Sequence, residues 1–202
     1  YLTTGDHNTA MGFYSMERTT TGNNCTAVGS YALYAQTTGA YNVAIGRLAM
    51  GNGTTTGGNN VALGYRALQS NSSGEYNVAV GSEAGGLITT GSDNTIVGTY
   101  AGDAITGGSN NTGIGRAALG AATTSSNNTA VGYFALLVNT TGTDNVALGA
   151  YAGDAITTAS YNTAIGREAL TTCTTGGHNH AVGYQALRNL NTGQDNLGFG
   201  RQ

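Results

Sequence analysis

A large apolar residue stands directly before a glycine at regular intervals along the whole chain. These residues are Met11, Val28, Ile45, Leu63, Val80, Val97, Ile114, Val131, Leu148, Ile165, Val182 and Phe199. The glycines after them recur every 17 residues, with one step of 18 between Gly46 and Gly64. Twelve copies of a 17-residue unit therefore fill the chain, with a single inserted residue in the stretch 51–58. The register does not break elsewhere, so residues 1–202 read as one array without a domain boundary or linker. The unit runs Asn-(Thr/Val)-Ala-(Val/Ile/Leu)-Gly-x-x-Ala-Leu-x-x-x-Thr-Thr-Gly-x-x, as in residues 60–68.

Seventeen residues are too few for a pair of helices, and glycine at fixed phases would weaken a helix interior. The unit has room for about five residues of strand, a turn, a second short extended piece and another turn. The fold class that follows is all-β: a parallel β-solenoid or β-roll in which like residues stack at the strand spacing of about 4.8 Å. Twelve such coils make a rod of about 58 Å.

A second apolar slot lies four residues after the glycine, at Met16, Leu33, Met50, Leu68, Leu119, Leu136, Leu170 and Leu187. Three copies have Gly85, Gly102 and Gly153 there, and those copies carry Ile88, Ile105 and Ile156 three residues later. One aliphatic side chain replaces another, as a shared packed interior requires. The slot two before the glycine is Ala in nine copies, Gly113 and Gly198 in two, and Ile96 in one. Alternation places this small row on the face opposite the large aliphatic row. The expectation is that the large row fills the coil and the small row faces outward. An outer face limited to methyl groups implies close approach by another layer, and a homotrimer around the rod axis is the simplest closed arrangement.

Two further rows support stacking. The asparagine slot holds Asn8, Asn42, Asn60, Asn77, Asn94, Asn111, Asn128, Asn145, Asn162, Asn179 and Asn196, with Cys25 the exception. Stacked amides can hydrogen-bond from coil to coil. Gly22, Gly39, Gly74, Gly91, Gly108, Gly142, Gly176 and Gly193 lie ten after the anchor and suggest a turn needing positive φ; Ser125 and Ala159 depart from the rule.

Composition narrows the function. The 202 residues include 34 Gly and no Pro or Trp; charged residues are 8% and the net charge is -3. Sparse positive charge excludes nucleic-acid binding, and no apolar stretch is long enough for a membrane span. Glycine without proline or a three-residue period excludes collagen, and so few charges argue against a charged disordered tail. No cluster of Ser, His, Asp or Glu breaks the repeat as a catalytic site would, so no enzyme activity and no cofactor are expected.

The phrases Asn-Thr-Ala-Val-Gly-Tyr-Phe-Ala-Leu (128–136) and Asn-His-Ala-Val-Gly-Tyr-Gln-Ala-Leu (179–187), each near a Thr-Thr-Gly, resemble repeats of bacteriophage tail-fibre proteins. Asn-Val-Ala-Ile-Gly (42–46) is also similar to the head repeats of YadA-like trimeric autotransporter adhesins, which form trimeric parallel β-rolls. The resemblance spans the chain. It implies a structural and host-attachment segment of a trimeric phage tail fibre, carried on the virion. The alternative is the head of a bacterial surface adhesin. An ice-binding solenoid ranks last, because adjacent Thr-Thr pairs point to opposite faces. The chain opens mid-repeat at Tyr1 and ends just after Gly200, as expected for a piece of a longer fibre. Partners would be further copies of itself and a host-surface glycan or protein, with no nucleic acid and no membrane insertion.

The candidate receptor contacts are the variable residues after the anchor glycine: Tyr14, Tyr31, Arg47, Tyr65, Arg66, Tyr100, Arg116, Tyr133, Tyr151, Arg167, Tyr184 and also Arg201. Tyrosine and arginine favour sugar stacking and interfaces, and they also pack at coil corners or against a neighbouring subunit. His178 and His180 offer two imidazoles two residues apart, but the string occurs once and no metal site is assigned. Cys25 and Cys173 lie about nine coils apart, too far to be bridged, and are expected as free thiols. Asp103 and Asp154 share one phase of the repeat, as a turn or cap carboxylate would.

Overall fold

Each repeat contributes one three-residue strand, and every strand pairs in parallel with the next in sequence. The computed structural model describes residues 4–201. The strands are β1 (Thr9–Met11), β2 (Thr26–Val28), β3 (Val43–Ile45), β4 (Val61–Leu63), β5 (Val78–Val80), β6 (Thr95–Val97), β7 (Thr112–Ile114), β8 (Thr129–Val131), β9 (Val146–Leu148), β10 (Thr163–Ile165), β11 (His180–Val182) and β12 (Leu197–Phe199). They form one twelve-stranded sheet in sequence order, a β-solenoid of about eleven turns with no helix among the described residues. Register is strict: Thr112 pairs with Thr129, Gly113 with Ala130 and Ile114 with Val131.

The strand is shorter than the pattern suggests, and no second strand forms. The rest of each coil bends, yet its backbone is still tied to the next coil. Leu136 N–H donates to Ala152 O at 3.0 Å, and Thr89 N–H to Thr106 O at 2.9 Å. The bends use left-handed backbone at three non-glycine slots per coil, exemplified by Asn127 (φ 59), Phe134 (φ 59) and Leu136 (φ 48). Left-handed backbone is a sharp penalty for β-branched residues. None of the non-glycine residues in this conformation is Val, Ile or Thr. The anchor glycine itself adopts a φ open only to glycine, 140° at Gly132, and a Cβ there would lie 2.5 Å from the Gly149 carbonyl oxygen.

The two faces of the sheet are the reverse of the expectation. The alanine row lies inside: Ala27, Ala44, Ala62, Ala79, Ala130 and Ala147 are all fully enclosed. The large row lies outside, with Leu63, Leu148 and Ile114 exposed and Val28, Val80 and Val131 half-buried. The cause is the narrow bore of a 17-residue coil. Alanine from the strand meets a second buried alanine row (Ala32, Ala49, Ala67 and onward) and the leucines from the bends, leaving no space for a larger strand residue. The methyl groups therefore face the coil's own interior and carry no argument about a neighbouring chain.

The expected exchange of aliphatic groups is present. Leu33, Leu68, Leu119 and Leu136 are fully buried, and so are Ile88 and Ile105 where glycine replaces the leucine. A Cβ at Gly85 would lie 2.9 Å from Ile88 Cδ1, so the isoleucine fills the vacated space. Ile96, the single large residue in the alanine row, is housed the same way. Cβ atoms at Gly102 and Gly113 would lie 3.0 and 3.3 Å from Ile96 Cδ1.

The glycines ten after the anchor do not sit at positive φ, contrary to expectation. They are small because two coils pass in close contact: a Cβ at Gly108 would lie 2.1 Å from the Ser125 carbonyl oxygen, and one at Gly91 2.2 Å from that of Gly108. The left-handed corner comes one residue before the asparagine instead, for example at Tyr76, Asp93 and Asn110.

The inserted residue has a defined place. Thr55 bridges in parallel to Gln36 and is fully buried, so it occupies the inward slot held in other coils by Gln36, Asn71 and Ile88. Met50 precedes it by five residues, whereas Leu33 precedes Gln36 by three, so two extra residues enter before the inward slot; one is taken back after it, since Gly57 follows Thr55 by two where Gly39 follows Gln36 by three. The bulge thus spans residues 51–54, ahead of the inward turn.

Candidate functional site

The asparagine row is a buried ladder. Asn111 N–H donates to Asn94 Oδ1 at 3.0 Å, Asn128 N–H to Asn111 Oδ1 at 3.0 Å and Asn145 N–H to Asn128 Oδ1 at 3.0 Å. The same pattern links Asn42 to Asn60, Asn60 to Asn77, Asn77 to Asn94, Asn145 to Asn162, Asn162 to Asn179 and Asn179 to Asn196. Most of the amides also reach a backbone carbonyl fourteen or fifteen residues on, as Asn94 Nδ2 does to Gly108 O at 2.9 Å, Asn8 Nδ2 to Gly22 O at 2.7 Å and Asn42 Nδ2 to Gly57 O at 2.9 Å. One side chain thereby satisfies a donor and an acceptor that the interior would otherwise strand.

Most of the tyrosine and arginine candidates cluster along the rod, touching one another within a coil or from one coil to the next. Tyr14 and Tyr31 have ring centroids 5.3 Å apart. The Arg47 and Arg66 guanidiniums lie 5.8 and 4.9 Å from the Tyr65 ring centre. Arg116 lies 5.8 Å from the Tyr133 ring centre and its Nη1 is 3.2 Å from the Tyr133 hydroxyl. Tyr133 meets Tyr151 at 5.4 Å, and Arg201 stands 5.6 Å from the Tyr184 ring centre. Tyr100 has no ring or guanidinium neighbour of this kind among the described residues. Left-handed backbone at Tyr14, Tyr31, Arg66, Tyr100 and Tyr151 places this row at a corner of the coil.

The repeat phase marks Phe13, directly after Gly12, but not Tyr34. Phe13 and Tyr34 complete the first aromatic cluster, with Tyr31 and Tyr34 at 5.4 Å and Arg18 5.1 Å above Tyr34. Tyr34 lies five after its glycine, outside the slots that carry most of the tyrosines. The tyrosine content of a second corner, at the exposed Tyr41, Tyr76 and Tyr161, also signals surface placement.

Arg167 belongs to the densest ionic group. Its Nη2 lies 2.9 Å from Glu168 Oε1, while Arg188 Nη2 and Gln185 Nε2 reach Glu168 Oε2 at 3.8 and 2.7 Å. The Gln185 hydrogen bond, helped by both arginines, holds the Glu168 carboxyl below its ordinary range. Tyr151, Asp154, Thr171 and Thr172 line the same open cleft of about 420 Å³. Burial pushes Asp154 up to about 6 against the pull of its backbone hydrogen bonds, and Asp103 shifts in the same direction for the same reason.

The remaining candidates scatter. His178 occupies a left-handed corner and stacks on Tyr161 at 4.9 Å, while His180 lies in the exposed first position of β11. No group of three metal-binding side chains forms among the described residues. Cys25 and Cys173 are free and buried. No helix of the described residues is long and apolar enough to cross a membrane.

Hydroxyl rows were only half anticipated. The first threonine of each pair turns its hydroxyl onto the next coil, as Thr89 Oγ1 does to Thr106 O at 3.0 Å and Thr140 Oγ1 to Thr157 O at 3.1 Å. The second is exposed and shares a face with a residue two places on. Thr124 and Ser126, Thr141 and Thr143, and Thr158 and Ser160 each flank a buried small residue. Among known protein families, curated proteins and solved structures, none matches this chain.

Proposed function

We propose that the chain is a rod-forming segment of a homotrimeric attachment fibre, joined to its sister chains through the outward face of the sheet. The observation that carries this reading is the exposed aliphatic row. Met11, Ile45, Leu63, Ile114, Leu148 and Phe199, from β1, β3, β4, β7, β9 and β12, present large apolar side chains to solvent, and half-buried Val28, Val80, Val97, Val131, Ile165 and Val182 continue the row in the coils between. Val43, Val61, Val78 and Val146 widen the strip beside it. Eleven strand spacings make it about 53 Å long, and at about 10 Å wide it covers on the order of 500 Å², near the upper range tolerated on a lone soluble chain. Three copies around one axis cover the strip while all chains run in the same direction, which a fibre requires. The resemblance to phage tail-fibre repeats makes the virion the favoured owner, with the head of a bacterial surface adhesin as the alternative. The tyrosine and arginine corner supplies contacts for a host-surface receptor.

Light-scattering mass of the purified chain tests the assembly. Three chains are expected at concentrations of about 1 µM. A single chain at that concentration overturns the reading. Genes encoding a chaperone domain and baseplate proteins favour the phage; a signal peptide and membrane anchor favour the adhesin.

A second reading draws on the paired hydroxyl rows. Exposed or half-buried hydroxyl pairs recur at the coil spacing of about 4.8 Å at Thr124 and Ser126, Thr141 and Thr143, and Thr158 and Ser160. This is the arrangement an ice-binding face needs, and adjacent Thr-Thr pairs do not exclude it. Thermal hysteresis in a freezing solution of the chain supports this reading, and its absence removes it.

A further inference from the structure

A solenoid of equal coils presents the same surface at every step, so a unique ligand site needs a place where the repeat breaks. The bulge at residues 51–54 is such a place. Beside it opens a cleft of about 400 Å³ lined by Tyr31, Tyr34, Arg47, Leu48, Gly51 and Asn52. The bulge begins at Gly51, which the chain brings hard against the neighbouring coil: a Cβ there would lie 2.7 Å from the Tyr31 carbonyl oxygen. On its other side the cleft runs into the largest aromatic cluster of the molecule, in which Tyr31 touches both Tyr14 and Tyr34.

We propose that this cleft is a glycan subsite, with one pyranose ring stacked on the Tyr34 side and its polar substituents held by Arg47 and Asn52. The inference rests on the attachment part of the proposed function. The chemistry of the lining supports it. Tyrosines in tilted contact present ring faces to the weakly polar C–H face of a sugar while their hydroxyls remain available. Asn52 is exposed and offers both a donor and an acceptor. The Arg47 guanidinium has no carboxylate within 4.0 Å among the described residues, so its donors are available to a hydroxyl or a carboxylate of the sugar. The volume suits one or two sugar rings, within the usual span of small-ligand sites. A protein receptor would need a contact of roughly 20–30 residues a side, against the six that line this cleft.

Saturation-transfer NMR on the full chain tests the proposal. The probes are methyl α-D-glucopyranoside, methyl β-D-galactopyranoside, D-glucuronic acid and N-acetylneuraminic acid at about 1 mM. Transfer from tyrosine ring protons to at least one sugar is expected. Tyr34→Ala and Asn52→Ala should each weaken that binding about tenfold, with the circular-dichroism spectrum and light-scattering mass unchanged. Tyr184→Ala, in the distant tyrosine–arginine pair, should leave it intact. If an acidic sugar is preferred, Arg47→Gln should remove the preference. Silence with all four sugars, full binding in Tyr34→Ala and Asn52→Ala, or equal loss in Tyr184→Ala overturns the subsite. Loss of adhesion to host cells in Tyr34→Ala, without any sugar signal, also overturns it and assigns the cleft to a protein partner. A trimer that ignores the sugars leaves the fibre reading standing; a monomer that binds them overturns the fibre and leaves the subsite.

Discussion

The side-chain nitrogen of Gln36 lies 3.1 Å from Cys25 Sγ and donates to the carbonyl of Gly39. That carbonyl is the acceptor an asparagine at position 25 would serve, since Asn8 serves Gly22 and Asn42 serves Gly57. Cys25 interrupts the ladder, and Gln36 reaches across the interior to supply the missing amide. The ladder's other contact survives only weakly, as Asn42 N–H donates to Cys25 Sγ at 3.4 Å.

The two positions should therefore be energetically coupled. Gln36→Leu alone leaves the buried Gly39 carbonyl with only the weak 3.7 Å contact from Cys25 Sγ and should cost about 1–3 kcal/mol. In a Cys25→Asn background the same change should cost far less, because the restored asparagine takes over that acceptor. A double-mutant cycle by denaturant unfolding should show coupling of at least about 0.5 kcal/mol, and strict additivity would refute the substitution of one amide for the other.

Ala147 and Leu148 are neighbours in β9, yet Ala147 is 0% exposed and Leu148 is 48% exposed. Changes at the two sites should fail in different ways. Ala147→Leu forces extra atoms into a filled bore and should destabilise the coil by about 1–3 kcal/mol or more, whatever the oligomeric state. Replacing Leu63, Ile114 and Leu148 together by Asn should leave the isolated coil folded by circular dichroism and shift the light-scattering mass from three chains towards one. A triple variant that keeps the mass of three would remove the outward row from the interface.

The contrast between these two residues also marks what the sequence could and could not reveal. The period and the ladder asparagines are visible because each is a rule repeated many times; the single insertion shows as the one break in the period, and the exchange between Gly85 and Ile88 because it recurs in three coils. Alternation showed that the alanine and aliphatic rows face opposite ways, but it is silent on which face is inside. Size suggested that the larger row fills the core; the width of the bore decides otherwise. Left-handed corners at Tyr31, Leu33 and Tyr41 were hidden because glycine is absent there, and the only trace is a missing class, the β-branched residues. Tyr34 escaped notice because its role comes from the neighbouring coil and the bulge rather than from its own phase.

Asp154 supplies a pH test. Its folded-state pKa of about 6 stands above the unaltered value of 3.8, with burial as the leading cause. The native state therefore binds the proton more tightly than the unfolded chain does. The stabilisation linked to that proton is complete below pH 3.8 and disappears as pH rises through about 6. At pH 7 the half-buried carboxylate is a cost, so Asp154→Asn should raise the unfolding midpoint. Discounted for solvent screening, the gain is about 1 kcal/mol, or roughly 2–4 °C. At pH 3.5 variant and parent should unfold together. Glu168, held low by Gln185, Arg167 and Arg188, shares the cleft and contributes in the opposite direction; its charge also repels the Asp154 carboxylate, so part of the gain at pH 7 is relief of that repulsion. An equal gain at both pH values would show that the effect is not electrostatic.

The interior treats aliphatic volume as interchangeable between two slots, and Gly85 with Ile88 offers the sharpest test. Gly85 has φ 56, close to the φ 57 of Leu119 in the same slot, so the backbone already accepts leucine there. What opposes leucine is Ile88, whose Cδ1 would lie 2.9 Å from a Cβ on residue 85. Gly85→Leu alone should thus overpack the coil and cost about 1–3 kcal/mol. Ile88→Ala alone empties a fully buried site and should cost about 2–5 kcal/mol. Together they recreate the Leu119 and Ala122 pairing, in which both residues are fully buried. The double variant should recover most of the parent's stability in urea unfolding. Losses that simply add would mean that each coil packs its own fixed set of side chains and that the two slots are not exchangeable.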